Sequence, residues 1–518
     1  MRDSGSVFHP LIQEWFSKQI GTPTPVQDAA WPVIADGCHV LVTAPTGSGK
    51  TLTAFLWGLN QLITGAWPPG CTRIIYVSPL KALNNDIRRN LLKPLAGITA
   101  RFREASTECP AVRVLTRSGD TPQKDRRKML RHPPEILITT PESLNLMLST
   151  RKALETFASV RSVILDEIHA VADSHRGAHL MTAVERLVPL AGEFQRIALS
   201  ATVNPVVTMA EWVGGFEGPR HHPREVTIVT TPERKTYAIE VRFPPPRDPD
   251  HRDSFWEPVA RDLRQIMDTG RSTLIFANNR RLCETLTLRI NRQEGRITAY
   301  AHHGALSRHL RLDVEQRLKR GDLKAIVATS SLEMGIDIGH LDRVVMVQTP
   351  KSVASAVQRA GRANHRVGET SHAVLYPAYP GDTLDAAVMA RAIAAGDIEP
   401  IRPLESPLDV LAQVVISMVC AEPWDIDTMF DVIRSTWTYR NLDRHAFDLV
   451  LDMLAGKYAG TRIEELKARL YVDRDAGTVT ALSNARMALY GAGGMIPNRG
   501  YYQMRHAQTR ARIGELDE

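Results

Sequence analysis

Residues 44–51 read Ala-Pro-Thr-Gly-Ser-Gly-Lys-Thr, a spacing of glycines, lysine and hydroxyl suited to holding phosphate. Gly47 and Gly49 let the backbone turn without a Cβ clash, so several N–H groups point inward at phosphate oxygens, with Thr46 and Ser48 completing the cradle. Lys50 reaches the β and γ phosphates, and the Thr51 hydroxyl is placed to ligate Mg²⁺. An apolar run precedes the loop (Val40, Leu41, Val42) and residues 52–59 follow with helical apolar spacing. That order of strand, loop and helix adds the partial positive charge of a helix N-terminus and marks a nucleotide site.

A second chemical pair is Asp166-Glu167, which closes the apolar run Ser162-Val163-Ile164-Leu165. An Asp at such a strand end can hold Mg²⁺ through water beside Thr51, and Glu167 can polarise the water that attacks a γ-phosphate. His169 has no second His four residues on, so the stretch is not a zinc helix. Ser200-Ala201-Thr202 lacks the flanking glycines of a hydrolase nucleophile elbow and reads as a hydroxyl-rich turn between the nucleotide and a moving part. Upstream, Gln27 follows Pro23-Thr24-Pro25. Its amide both donates and accepts, as reading the edge of adenine requires, and a helix-capping turn explains the same residues equally well.

The elements that must position these groups alternate. Runs at 73–78, 135–140, 162–165 and 196–200 are continuous apolar strands separated by helical patterns, which implies a parallel sheet covered on both faces. Each run exits into polar residues, so functional groups line the carboxyl edge, where ligands of such sheets gather. Residues 214–256 read as a linker or surface loop, with Pro244-Pro245-Pro246 at its centre. Strands then resume at 274–277, 325–328 and 344–347, in a second sheet with no phosphate loop of its own. Asn278-Asn279-Arg280-Arg281 ends one strand, offering amides and cations to a sugar–phosphate backbone. Thr329 opens the turn after another, which runs on to Gly335 and Asp337, with Gly335 permitting close approach. Gln358-Arg359-Ala360-Gly361-Arg362 lies on a basic helix, and arginines from a separate lobe can stabilise charge on a transferring phosphoryl group.

Composition sets the frame. The 518 residues are 43% hydrophobic and 23% charged, which argues against wholesale disorder, and the length suits three or four domains. A net charge of +7 permits a polyanionic partner. The five cysteines are widely spaced with no Cys-x-x-Cys pair, and read as reduced thiols in a cytosolic protein. Residues 1–10 carry no signal-peptide core, and the longest apolar stretch, 410–420, is too short to span a bilayer. A soluble, intracellular protein without a membrane partner is expected; nothing in the pattern sets an oligomeric state. Helical spacing at 410–420, 426–436 and 447–454, followed by a hairpin around Asp475-Ala476-Gly477, suits a winged-helix domain. Residues 496–506 read as one strand, which cannot bury its own face alone.

Taken in order, Ala-Pro-Thr-Gly-Ser-Gly-Lys-Thr, Ser-Pro-Leu-Lys-Ala-Leu (78–83), Asp-Glu-Ile-His (166–169), Ser-Ala-Thr (200–202) and Gln-Arg-Ala-Gly-Arg (358–362) resemble the motif set of superfamily two helicases. Arg-Ser-Gly-Asp-Thr (117–121), Ile-Thr-Thr-Pro-Glu-Ser-Leu (138–144) and His-His-Gly-Ala-Leu-Ser (302–307) resemble the Lhr (large helicase-related) family. The resemblance implies an α/β chain of two tandem RecA-like lobes, at 1–216 and 217–399, then a winged-helix-like domain at 400–494 and a short incomplete β segment at 495–518. It implies ATP and Mg²⁺ at the lobe junction, bound through Gln27, the loop, Gly335 and Asp337. Lys50, Glu167 and Arg362 would carry hydrolysis, supported by Gln358 and Arg359, with Thr51 and Asp166 on the metal. Nucleic-acid contacts are expected at Pro79, Lys81, Thr140, Asn279, Arg280, His303 and Thr329. The implied activity is 3′-to-5′ movement on single-stranded DNA and unwinding of DNA or RNA:DNA duplexes in a cytoplasmic, nucleoid-associated repair enzyme. Two alternatives are an RNA-remodelling helicase of the same superfamily and a nucleic-acid-binding ATPase that no longer unwinds. Asn364 stands where the family usually has Gly. The family's β-barrel would begin near residue 495, so a shortened member or fragment is expected.

Overall fold

The computed structural model describes residues 7–45, 47–79, 81–218, 220–231, 235–243, 256–270, 272–292, 297–304, 306, 308–320, 322–333, 341–363, 370–457, 467–492, 501–505 and 512–517. The first lobe holds strands β1 (His39–Thr43), β2 (Ile74–Val77), β3 (Val114–Arg117), β4 (Ile136–Thr139), β5 (Ser162–Leu165) and β6 (Gln195–Ser200). A short antiparallel hairpin of β7 (Phe216–Glu217) and β8 (His222–Pro223) follows, then β9 (Val226–Thr230). Seven of these strands form one all-parallel sheet in the order β3-β4-β2-β5-β6-β1-β9.

The strands are apolar throughout because helices cover both faces. Along β1, Val40 and Val42 enter one core with helices Pro10–Gln19, Pro25–Ala35 and Lys50–Ile63, while Leu41 enters the other. Ile74 and Tyr76 face the first core and Ile75 and Val77 the second, the two-residue alternation of a pleated strand.

The second lobe repeats the plan. Strands β10 (Tyr237–Val241), β11 (Thr273–Ala277), β12 (Ala299–His302), β13 (Ala325–Ala328), β14 (Arg343–Val347) and β15 (Ser371–Tyr376) form a six-stranded parallel sheet in the order β10-β15-β14-β11-β13-β12.

Two boundaries differ from the sequence reading. β9 pairs with β1 from His39↔Val226 to Thr43↔Thr230, so the first sheet runs past the expected lobe end at residue 216. The 214–256 linker therefore contains two sheet-edge strands, β9 and β10. Both are half-buried, which thins the apolar signal that a buried strand gives. At the C-terminal end β19 (Tyr501–Arg505) pairs antiparallel with β20 (Arg512–Asp517), so the single strand expected there is a two-stranded hairpin.

The third domain packs helices Leu408–Ala421, Ile426–Arg434 and Arg444–Leu454 against a small sheet of β16 (Trp424–Asp425), β18 (Thr478–Ala481) and β17 (Leu470–Asp473). Gly477 takes φ +66 in the hairpin turn, where a side chain would strain the backbone. Helix Leu408–Ala421 lies against first-lobe helices Pro141–Leu148 and His175–Glu185. Buried Arg186 rivets the contact, donating from Nη1 to Ser417 Oγ (3.1 Å) and from Nη2 to the Leu148 carbonyl (3.0 Å). With no carboxylate among those partners, burial pulls this guanidinium down to about 9.

Candidate active site and nucleic-acid edge

All first-lobe strands are parallel, so their carboxyl ends share one edge. Sheet order sorts what they carry. β5, β6 and β1 are contiguous and end at Asp166, Ser200 and the glycine loop; β4 and β2 lie beside them and end at Thr140 and Ser78-Pro79. The nucleotide chemistry and the expected nucleic-acid contacts therefore occupy neighbouring halves of one edge.

In the loop, Gly47 and Gly49 sit at φ +84 and +85, and Gly49 caps helix Lys50–Ile63. A Cβ on Gly49 would lie 2.7 Å from Gln27 Nε2, so only glycine fits this turn. Gln27 is buried at the start of helix Pro25–Ala35, where its Oε1 accepts the Thr24 N–H (2.9 Å) and Thr24 Oγ1 donates to the Ser48 carbonyl (2.9 Å). The Pro-x-Pro-x-Gln turn is thus a helix cap and a brace for the phosphate loop at once. Lys50 Nζ donates to the carbonyls of Ala44 (2.6 Å) and Pro45 (2.9 Å). Burial lowers its pKa, while Glu167 and Asp166 act to hold the charge.

Asp166 is buried, with Oδ2 accepting the Tyr76 hydroxyl and Oδ1 accepting the Glu167 N–H (2.8 Å). Burial, and then the adjacent Glu167 charge, push its carboxyl up to about 7. Two neighbouring buried carboxylates make an oxygen donor set, to which the expected Thr51 hydroxyl would add a third oxygen, and such a set fits a hard divalent cation. Among the described residues no cluster of three His, Cys, Asp or Glu side chains could hold a metal without further ligands. A phosphate-bound ion needs none, since it takes one or two carboxylates plus substrate oxygens.

Glu167 holds a left-handed backbone at φ +50, uncommon outside glycine and a mark of functional strain. Its Oε2 lies 3.5 Å from His169 Nε2. His169 Nδ1 accepts the Ala201 N–H (3.2 Å) and lies 3.1 Å from Ser200 Oγ. The amide can only donate, which assigns the ring proton to Nε2, facing Glu167. Burial lowers the ring's pKa and favours that neutral form. The Ser-Ala-Thr turn, read from sequence only as hydroxyl-rich, therefore orients the glutamate through His169.

The second lobe presents Arg359 and Arg362 from the end of helix Val353–Ala360, both buried. Arg359 Nε donates to Glu333 Oε2 (3.1 Å), its Nη1 to Asn278 Oδ1 (3.0 Å), and its guanidinium lies over the Phe276 ring at 5.2 Å. Arg362 Nε donates to the Glu333 carbonyl (3.1 Å). The lobes feel each other here. The Arg362 charge acts to lower Lys50, and the Glu333 charge acts to raise His169. Gln358 is half-buried on the same helix.

The expected nucleic-acid residues divide. The Pro79 carbonyl accepts Arg176 Nη2 (2.7 Å), and Arg176 Nε pairs with Glu142 (2.7 Å), so the turns after β2 and β4 are tied together. Thr140 is buried and its Oγ1 caps helix Pro141–Leu148 by accepting the Ser143 N–H (3.3 Å). Asn279 caps helix Arg280–Asn291 at the surface, and Arg280 is exposed beside it. His303 is buried with Nε2 2.6 Å from Glu284, and Thr329 is half-buried at the end of β13. Thr46, Gly335, Asp337 and Asn364, and the Lys81 side chain, lie outside the described residues. Sequence reasoning offered the Asn278 amide to a sugar–phosphate backbone, whereas it bonds Arg359 and the Thr349 carbonyl, and it missed Tyr76, Glu333 and Arg176 as supports of the site. A tyrosine inside the apolar run of β2 is the one local signal among them.

Two parallel-sheet lobes, a glycine loop on one and buried arginines on the other, define the two-lobe RecA-like fold of superfamily two helicases. Family models agree segment by segment: DEAD/DEAH box helicase over residues 24–210, helicase conserved C-terminal domain over 259–368, and the large helicase-related protein winged helix domain over 391–518. The chain belongs to the Lhr family of helicases. It is 43% identical to the Lhr helicase/probable uracil glycosylase of Mycolicibacterium smegmatis over 99% of this chain and 36% of that protein. It is 38% identical to the ATP-dependent helicase Lhr-Core protein 2 of Thermococcus barophilus over 98% of this chain and 59% of that one. A solved structure of Mycobacterium smegmatis helicase Lhr bound to ssDNA and AMP-PNP superposes with a TM-score of 0.88, at 44% identity, over 96% of this chain and 63% of that one. The chain thus spans between about a third and three fifths of these curated relatives. No helix among the described residues is long and apolar enough to cross a membrane.

Proposed function

We propose that the chain is an ATP-driven motor that moves 3′-to-5′ along single-stranded DNA and unwinds DNA or RNA:DNA duplexes, in keeping with a role in DNA repair. The observation that carries this reading is the burial of Arg362 within electrostatic reach of Lys50, which supports cations of both lobes serving one triphosphate. Binding of ATP to the glycine loop draws the lobes together, and hydrolysis releases them, so the strand gripped by both is passed from one to the other.

Each residue has a role in this scheme. The loop from Thr46 to Ser48 and the Gly49 turn orient the phosphates, and Lys50 sets its ammonium against them. Gln27 fixes the nucleotide end of the loop, and Gly335 and Asp337 serve it from the second lobe. Thr51 and Asp166 would hold Mg²⁺, which when bound neutralises developing charge on the phosphates. Glu167 takes the proton of the attacking water, with its carboxylate aimed by His169. Arg362 meets the charge of the transferring phosphoryl group; Arg359, held by Glu333 and Asn278, and Gln358 keep it aligned.

The strand runs along Pro79, Lys81, Asn279, Arg280 and Thr329, with Thr140 and His303 shaping the turns from beneath. These contacts reach sugar and phosphate, so binding is independent of sequence and falls steeply with salt. RNA is the runner-up track; none of the described residues favours it over DNA. The lobes divide near residues 230 and 399, and the third domain ends near 494.

The test is ATP hydrolysis by the 518-residue chain with and without single-stranded DNA. Lys50→Ala is expected to lower stimulated turnover about a thousandfold, the scale of losing a main electrostatic stabiliser. Equal wild-type turnover with and without nucleic acid overturns the motor reading. Parallel DNA, RNA and hybrid duplexes, assayed for strand displacement in a single turnover, separate the three candidate activities.

A further inference from the structure

At the carboxyl edge of the second lobe a cleft of about 480 Å³ opens where the paired strands β11 and β14 end. Its lining includes Trp256, Asn279, Arg281, Leu282, Arg289 and Gln348. We propose that this cleft is a nucleobase subsite: one unstacked base of the bound strand enters it, stacks on Trp256 and is met by the Gln348 amide, while Arg281 takes the flanking phosphate. This rests on the reading of the chain as a nucleic-acid motor and adds a base contact to a track otherwise made of backbone contacts.

Four observations support it. The volume falls within the range of small-ligand sites, and the lining combines one aromatic face with a few convergent polar groups. The cleft abuts Asn279 and Arg280, so a strand on those residues passes its mouth. Arg289 is already neutralised by Glu257 at 2.8 Å, and Arg281 stands exposed where a phosphate would arrive. Gln348 holds φ +67, a left-handed conformation that a glutamine adopts only at a cost. Its N–H is satisfied by the Tyr376 carbonyl (3.0 Å), so backbone bonding would be met by glycine as well; the glutamine amide is the part that needs another reason.

The cleft is also wired to the nucleotide site. The Thr349 carbonyl, next to Gln348, accepts Asn278 Nδ2 (2.9 Å), and Asn278 Oδ1 accepts Arg359 Nη1 (3.0 Å). A base that shifts the 348–349 turn therefore moves a group bonded directly to the arginine helix. One asparagine amide spans the two sites.

The experiment is equilibrium binding of the full chain to a deoxythymidine 12-mer and to an abasic 12-mer with the same sugar–phosphate backbone. The wild type is expected to prefer the thymidine strand about tenfold, the size of one base–aromatic stack. Trp256→Ala and Gln348→Gly should each collapse that preference and leave abasic binding within about twofold. Trp256→Phe should retain most of it. Gln348→Gly relieves the left-handed strain, so its melting temperature should not fall, which separates lost recognition from lost folding. A wild type without preference, variants that keep it, or variants that lose both strands equally would overturn the subsite and leave the motor reading intact. A wild type that binds neither strand overturns both.

Discussion

Two clusters of buried charge lie at opposite edges of the first lobe's sheet, and they are built on different terms. At the amino edge, Arg196 is the second residue of β6, with Nη2 on Glu185 (2.8 Å) and Nη1 on the Val213 (3.1 Å) and Gly214 (2.7 Å) carbonyls. Arg224 spans Glu185 (2.8 Å) and Glu193 (2.7 Å). Two cations face two carboxylates, and apart from Arg196 Nε their buried side-chain nitrogens and oxygens have partners. At the carboxyl edge Asp166 and Glu167 are buried side by side, the former pushed up to about 7, with Lys50 resting on loop carbonyls. Glu167 is strained as well. The amino-edge cluster closes upon itself, whereas the carboxyl-edge cluster has charge left over for a substrate. That is the difference between a structural network and a site, and burial alone does not reveal it.

Mutations on the two sides should separate cleanly. The largest effect is expected for Arg362→Ala, which should reduce nucleic-acid-stimulated ATP turnover about a thousandfold with a melting temperature within roughly 2 °C of wild type. A large drop in melting temperature would move Arg362 into the structural class. Next comes Glu185→Gln, which leaves Arg196 and Arg224 short of an anion in a dry environment. It should cost about 3–5 kcal/mol in denaturant unfolding, while turnover per folded molecule is kept. If activity fell without loss of stability, the contrast between the edges would be wrong.

The smallest effect reads the amino edge through pH. The His39 Nδ1 accepts the Arg196 N–H (3.1 Å), and burial, with Arg196 and Arg224 nearby, holds the ring down to about 4. The unfolded chain takes its proton near 6.5, so stability is full above that value and declines as pH falls from about 6.5 to about 4. His39→Gln should flatten this limb by roughly 2 kcal/mol, allowing for the ring's partial exposure. An unchanged slope in urea midpoints across that range would remove His39 from the account.

How much of this was legible depended on distance along the chain. The glycine loop, Asp166-Glu167 and the arginine helix are contiguous motifs, each following a strand or opening a helix, and the structure places all three on facing lobe edges. Tyr76 and Asp166 are ninety residues apart, Arg359 and Asn278 eighty-one, and Arg186 and Ser417 two hundred and thirty-one. No local pattern announces such pairs. β9 was hidden for another reason: an edge strand half open to solvent lacks the continuous apolar run that identified β1, β2 and β5.

From its residues alone the chain determined a glycine-rich turn of the phosphate-binding type at Gly47 to Thr51, carboxylates at the end of one strand, and arginines on a second sheet. These are consequences of local backbone geometry and of alternation, which neighbouring residues suffice to impose. Tertiary structure alone decided which charges were neutralised and which were left for a ligand, that Arg362 came within electrostatic reach of Lys50, and that Gln348 and Trp256 lined one cleft. The reason is physical: a charge is satisfied by whatever surrounds it in space, and close packing of distant segments sets those surroundings.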